Sequence, residues 1–296
     1  MNGHELPVDK AHLHVEWVEP KSPSSVTVPP VLILHGGPGA DSRYLRPQLD
    51  AVADLGVGRR IYFYDQRGAD RSPQAEGEEP PSVAVHVSDV DAVRRSIGVE
   101  KVRLIGYSWG ALLAMLYAVK HPQQVERLVL LSPAPPSTAI RLEYQRRMAE
   151  AMGRPEVKAL REELQQRKDS LSPEELRRWR FALAVTPYFV VPRRALELTP
   201  FLVKQRLEEA IWKSLGPSFD LRAELATLVR IPSLVIHGEA DDVVPLAAVL
   251  DWARPQVLPV TVVPGTGHFF HGQLGTLRDI VKRHLAALPD STQDGA

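Results

Sequence analysis

The sequence predicts an α/β fold: a mostly parallel central sheet flanked by helices, with a helical cap inserted after the sixth strand. Three observations predict it. Short β-branched and leucine-rich runs alternate with helix-forming stretches at both ends of the chain, and that alternation calls for parallel strands joined by right-handed crossovers. Gly106-Tyr107-Ser108-Trp109-Gly110 stands where one such strand turns into a helix. Between Ser137 and Leu225 the strand runs stop, and charged, helix-forming stretches replace them.

The elements follow in order. Ala11–Val18 alternates weakly and reads as an N-terminal antiparallel strand, and Lys21–Pro30, rich in Ser and Pro, reads as a loop. Val31–Leu34 and residues 60–64 are buried strands, with a helix expected near 43–54 between them. A helix over roughly 82–97 leads to the strand Lys101–Ile105, and Ala111–Lys120 is a run of strong helix formers. Arg127–Leu131 is the next strand. Within the cap, Ile140–Met152 and Pro155–Asp169 are helical, and Ser172-Pro173-Glu174-Glu175 is a helix start, with an N-cap serine and proline at the first helical position. Strands resume at Ser233–Gly238 and Pro259–Val263, a last helix lies near 274–287, and Pro289–Ala296 reads as a disordered tail. The chain thus divides into a first core part (1–136), a helical cap (137–225) and a second core part (226–296).

Chemistry concentrates at the strand ends, where open α/β sheets place their sites. Cβ atoms at positions 106 and 110 would collide with the neighbouring helix or strand, so the turn needs its two glycines. Such a turn lifts the Ser108 hydroxyl above the sheet. A serine hydroxyl is a poor nucleophile until a base takes its proton and an acid orients that base. His268, after Gly265-Thr266-Gly267, is the candidate base, with His271 as its rival. Asp241 is the candidate acid, with Asp242 beside it as an alternative, because adjacent residues leaving a strand point in different directions. His35 and His237 end strands and are expected to bond locally. His35-Gly36-Gly37-Pro38-Gly39 follows a strand, and bare backbone there can approach a developing oxyanion. The N–H groups of Gly37 and of Trp109, the residue after the nucleophile, are the expected donors.

His35–Gly39, the segment Tyr64-Asp65-Gln66-Arg67-Gly68-Ala69-Asp70-Arg71-Ser72 and Gly106–Gly110 together resemble the α/β-hydrolases of the prolyl iminopeptidase type. That family carries His-Gly-Gly-Pro-Gly, Asp-Gln-Arg-Gly and Gly-x-Ser-Trp-Gly in this order. The resemblance spans about 28–135 and 226–290, and the chain order Ser, Asp, His is the one α/β-hydrolases use. It departs where Asp70 stands in place of a glycine, a residue that tolerates left-handed backbone. Asp65 and Arg67 are expected to brace that loop.

The resemblance implies an exopeptidase removing an N-terminal residue, with proline favoured, through an acyl-enzyme and without a metal or organic cofactor. It also implies carboxylates under the cap to hold a free ammonium, typically from a Trp-Glu pair. Here Trp179 is followed by Arg180 and Trp212 by Lys213, so weaker amine recognition is expected. Glu174, Glu175, Glu197, Glu208 and Glu209 are the residues that could substitute. Trp179, Tyr188, Phe189 and Trp212 are the candidate substrate contacts, and Phe181 and Phe201 belong to the same apolar underside. An esterase, amidase or lactonase acting on small uncharged substrates stays open, as does a non-catalytic small-molecule receptor.

Composition limits the partners. Acidic and basic residues balance at 36 each, leaving no electrostatic footprint for nucleic acid or a charged membrane. With no cysteine, disulfides and thiol chemistry are excluded. The first ten residues lack the apolar stretch of a signal peptide, and the run Ala111–Val119 is too short to span a bilayer. A cytoplasmic enzyme acting on a small molecule or short peptide is the expectation.

Overall fold

The computed structural model describes residues 2–8, 11–20, 28–45, 59–74, 77–198 and 200–286. One sheet runs in the order β1-β2-β4-β3-β5-β6-β7-β8. Its strands are β1 (Asn2–Val8), β2 (Ala11–Val18), β3 (Val31–Leu34), β4 (Ile61–Tyr64), β5 (Val102–Tyr107), β6 (Val125–Leu131), β7 (Ser233–Gly238) and β8 (Val260–Val263). β1 pairs antiparallel with β2, and β2 with β4; every pairing from β4 onward is parallel. From β3 the chain moves outward to β4 and then returns across β3 to lay down β5. The strand order therefore reverses at β3 and β5, and such a reversal opens a crevice at the carboxyl ends of those strands.

Helices α1 (Val83–Ser96), α2 (Trp109–Lys120), α7 (Leu246–Ala253) and α8 (Leu274–Ala286) accompany the sheet. Helices α3 (Thr138–Ala151), α4 (Pro155–Arg167), α5 (Pro173–Val185) and α6 (Gln205–Ser214) all fall between β6 and β7. Side chains alternate across a strand, so β3 feeds two cores. Leu32 and Leu34 join Val87, Val90 and Val93 of α1 and Leu112 and Met115 of α2. Val31 and Ile33 join Leu277, Val281 and Leu285 of α8. All four β3 residues are buried, as a strand covered on both faces requires. Ser172 and Glu175 cap α5 reciprocally, with Pro173 in its first turn.

One strand was not expected, and several expectations fall wholly or partly outside the described residues. β1 was not foreseen: its Asn, Gly, Glu and Pro residues have low strand propensity, and it forms because it zips along β2 from Asn2↔Trp17 to Val8↔Ala11. Pro7 is tolerated there because β1 is an edge strand. Ser42–Leu45 forms a single 3-10 turn, and the rest of the helix expected near 43–54 lies outside the described residues. So do most of the Lys21–Pro30 loop and the tail Pro289–Ala296. Among the described residues, no helix is long and apolar enough to cross a membrane.

Candidate active site

β5 continues to Tyr107 and α2 begins at Trp109, which leaves Ser108 alone as the turn. Its backbone takes φ 52° and ψ −116°, a conformation L-residues rarely adopt. The two glycines make this turn possible. A Cβ on Gly106 would strike the Gly110 carbonyl and the Ala111 backbone, and one on Gly110 would strike the Leu34 and His35 carbonyls. Neighbouring backbone holds the strained residue. Ser108 N–H donates to Leu131 O at 2.9 Å, and its carbonyl accepts from Ala111 N–H at 2.9 Å and Ala134 N–H at 3.0 Å.

The loop after β8 brings His268 to this serine. Ser108 Oγ lies 3.0 Å from His268 Nε2, and His268 Nδ1 lies 2.8 Å from Asp241 Oδ2. The His268 carbonyl is itself anchored, accepting from Tyr107 OH at 2.7 Å and Ser132 Oγ at 2.9 Å. Asp241 Oδ1 accepts the N–H groups of Val243 and Val244 at 3.0 and 2.9 Å. Burial alone would raise the Asp241 carboxyl. The His268 and His237 rings and the Val244 N–H outweigh that effect and hold it below the ordinary carboxylate range. It is therefore an anion at neutral pH, which fixes the Nδ1–H tautomer of His268 and leaves Nε2 to receive the serine proton.

The rival residues point elsewhere. Asp242 is exposed and pairs with Arg154 at 2.6 Å, and His271 pairs with Glu197. His237 Nε2 donates to Val244 O at 2.7 Å. His35 lies 2.8 Å from Gly36 O through Nδ1 and accepts Gln66 N–H at 3.0 Å through Nε2, and burial pushes its pKa down. His35 is thus a neutral scaffold. Gln66, given no role by the sequence motifs, ties three loops together. Its Nε2 donates to His35 O at 2.7 Å, while its Oε1 accepts the Trp109 indole N–H at 2.8 Å.

Gly37 has φ 124° and lines the space above Ser108. Neither Gly37 N–H nor Trp109 N–H donates to a backbone acceptor among the described residues. Asp65 braces this region, accepting from Ser42 N–H and Oγ at 2.9 and 2.8 Å and from Arg71 Nε at 2.7 Å. Arg67 is bound to buried Asp89 through two hydrogen bonds. The positive φ of the loop falls on Gly68 and not on Asp70, so the missing glycine costs no strain there, and Asp70 instead meets Arg43 at 2.9 Å.

Above Ser108 lies a cavity of about 250 Å³. Arg141, Tyr144, Gln145 and Met148 of α3, Glu208 and Trp212 of α6, and Tyr188 line it, over a floor of Gly37, Ser108, Ala134 and Pro135. Of the four aromatic candidates, Tyr188 and Trp212 reach it; Trp179 and Phe189 do not. Trp179 is buried on α5 beneath the Arg167 guanidinium, and Phe189 packs on Phe269 with their ring centroids 5.3 Å apart. Tyr188 sits 5.0 Å from the His268 ring, and its hydroxyl is 2.9 Å from that of Tyr144. Glu208 is the one carboxylate of the lining. Burial raises its pKa, held down in part by Arg141 and the Trp212 indole. The α3 residues were missed, although positions 141, 144, 145 and 148 carry the i, i+3, i+4, i+7 spacing of one helix face.

A family model described as the alpha/beta hydrolase fold matches residues 29–273. The chain belongs to the α/β-hydrolase family. Among proteins similar to this α/β-hydrolase, a proline iminopeptidase of Lactobacillus delbrueckii subsp. bulgaricus is 28% identical over 238 residues, covering 74% of this chain and 76% of that protein. A solved proline iminopeptidase-related protein from Thermus thermophilus superposes with a TM-score of 0.71 at 26% identity, covering 97% of this chain and 98% of that one. The enol-lactonase of Burkholderia xenovorans LB400 shares the fold, with a TM-score of 0.66 at 19% identity over 96% of this chain and 100% of that one.

Proposed function

We propose that this α/β-hydrolase is a serine hydrolase working through an acyl-enzyme on Ser108, and that it cleaves small amides or peptides bearing a free amine, as a proline iminopeptidase does. The observation that carries the reading is the relay Ser108 Oγ–His268 Nε2 (3.0 Å) and His268 Nδ1–Asp241 Oδ2 (2.8 Å), opening into a cavity whose one carboxylate is Glu208. His268 takes the Ser108 proton as Oγ adds to the substrate carbonyl. Asp241 stabilises the imidazolium, and the Gly37 and Trp109 N–H groups hold the oxyanion. The tetrahedral adduct collapses, His268 protonates the departing amine, and water repeats the cycle on the acyl-Ser108 ester. No step calls for a metal or organic cofactor.

Glu208 supplies what the missing Trp-Glu pair removed. A buried ammonium without a carboxylate is costly, and an ammonium beside Glu208 would keep that carboxyl ionised despite its raised pKa. The cap formed by residues 137–225 is accordingly assigned the choice of substrate. A second reading, an esterase or lactonase without peptidase activity, draws on Arg141, a cation in the same cavity that would compete with a substrate ammonium.

One set of assays separates these readings. Proline β-naphthylamide, its N-acetyl derivative and p-nitrophenyl butyrate are compared, with fluorophosphonate labelling of wild type and Ser108→Ala. The proposal expects labelling at Ser108 alone and strong preference for the free amine. Ester turnover with no amide cleavage supports the second reading. Hydrolysis by Ser108→Ala at the wild-type rate would remove the nucleophile assignment, and a wild type that is neither labelled nor active would overturn the serine-hydrolase reading.

A further inference from the structure

The cavity holds two opposite charges that are not bonded to each other. Arg141 and Glu208 are near enough for each to shift the other's pKa, yet no hydrogen bond or ion pair joins them among the described residues. Each bears a desolvation cost: burial lowers the Arg141 pKa and raises that of Glu208. The Arg141 guanidinium instead stacks on Trp212, its central carbon 4.5 Å from the ring centroid. Trp212 is in turn set edge-on to Trp109, with centroids 5.1 Å apart. A guanidinium held against an aromatic ring by cation–π attraction has given up part of its side-chain freedom, which pre-organises its donors for a planar, two-oxygen acceptor. Tyr144, Gln145 and Met148 place the same face of α3 over Ser108.

We propose that Arg141 is a carboxylate-recognition residue, and that the substrate is a short peptide carrying its own α-carboxylate as well as its free amine. The naming of the amine rests on the function proposed above; the carboxylate rests on Arg141 alone. A zwitterion of that kind satisfies both half-buried charges at once. The volume agrees with it. At about 250 Å³ the cavity lies below the range of roughly 300–1,000 Å³ of ordinary ligand pockets, so it suits a dipeptide better than a long chain. A merely structural Arg141, propping Trp212, would be indifferent to the charge of the ligand.

Binding to the Ser108→Ala protein tests this without depending on turnover. Isothermal titration calorimetry compares Pro-Gly with Pro-Gly-amide, and both with their N-acetyl forms. Pro-Gly is expected to bind about tenfold or more tightly than its amide, the scale of a charge-assisted bidentate contact. Adding Arg141→Gln should erase that gap, and adding Arg141→Lys should keep part of it, with thermal unfolding checked for each protein. Equal affinity for acid and amide, equal weakening of both ligands by Arg141→Gln, or no measurable binding of either at millimolar concentration overturns the proposal. The acetylated pair reads the amine separately. If acetylation changes nothing, amine recognition by Glu208 fails, while the acid–amide gap still decides the role of Arg141.

Discussion

Asp241 and Asp242 leave β7 one after the other and end in opposite environments. Asp241 is buried, accepts two backbone N–H groups and faces His268; Asp242 is in solvent against Arg154. Asp241→Asn keeps the shape but loses the anion that selects the His268 tautomer, so kcat should fall by roughly 10⁴. Asp242→Asn removes only an exposed ion pair and should leave kcat within about twofold, since such pairs contribute little. Steady-state ester hydrolysis by both variants checks this, and a larger loss in Asp242→Asn would move the acid. At this scale Ser108 and His268 were legible because glycine-flanked turns announce them. The choice between the two aspartates was not, because it depends on which residue the turn folds inward.

Helix elements carry the next layer, beginning with the elbow. Gly110 lets α2 start against β3, and Gly110→Ala would drive a methyl group into the Leu34 and His35 carbonyls. A cost of about 3 kcal/mol, the upper end for overpacking, is expected in denaturant unfolding. A loss under about 0.5 kcal/mol would show that the packing gives way easily. Helix α6 teaches a different lesson. An adjacent Trp-Glu pair is absent from the sequence, yet Glu208 and Trp212 are four residues apart and share one helix face, so both reach the cavity. That spacing was visible in the chain; that this face looks onto Ser108 depends on the cap's docking, which local pattern does not carry. Glu208 also makes a stability prediction. A carboxyl whose folded pKa is raised binds its proton more tightly when folded, so stability falls as pH rises through its unfolded value near 4.3. Glu208→Gln removes that cost and should melt above wild type at pH 7. The advantage should shrink as the pH falls from the raised folded pKa toward the unfolded value of about 4.3, and it should be gone below that, where both states are protonated. Differential scanning calorimetry across pH 3.5–8 reads it (~0.5 unit steps suffice), and a pH-independent difference would remove Glu208 as the titrating group.

Across the whole molecule, the sheet and the cap divide the labour. The strand ends of β3, β5, β7 and β8 hold Gly37, Ser108, Asp241 and His268, whereas α3, α6 and Tyr188 supply the walls of the cavity above them. The sheet was largely readable because buried strands and their terminal glycines leave strong local signals. The helical stretch between β6 and β7 was readable too, but not which faces turn toward Ser108, and Trp179 and Phe189 lie outside the lining for that reason: an aromatic on such a helix faces either the cavity or the helices' own core. This division predicts that substitutions sort by location. Asp241→Asn weakens the chemical step common to every substrate, so it should lower kcat/KM for proline β-naphthylamide and for p-nitrophenyl butyrate by similar factors, leaving their ratio within about threefold. Glu208→Gln touches no reacting atom. It should lower the amide rate by tenfold or more, about 1.4 kcal/mol of transition-state binding, while the neutral ester reacts nearly as before. The two sites have separate roles, so in the double variant the losses should multiply. An ester rate that falls with the amide rate in Glu208→Gln would mean that α6 positions the Ser108 machinery itself, and the separation of cap from chemistry would not hold.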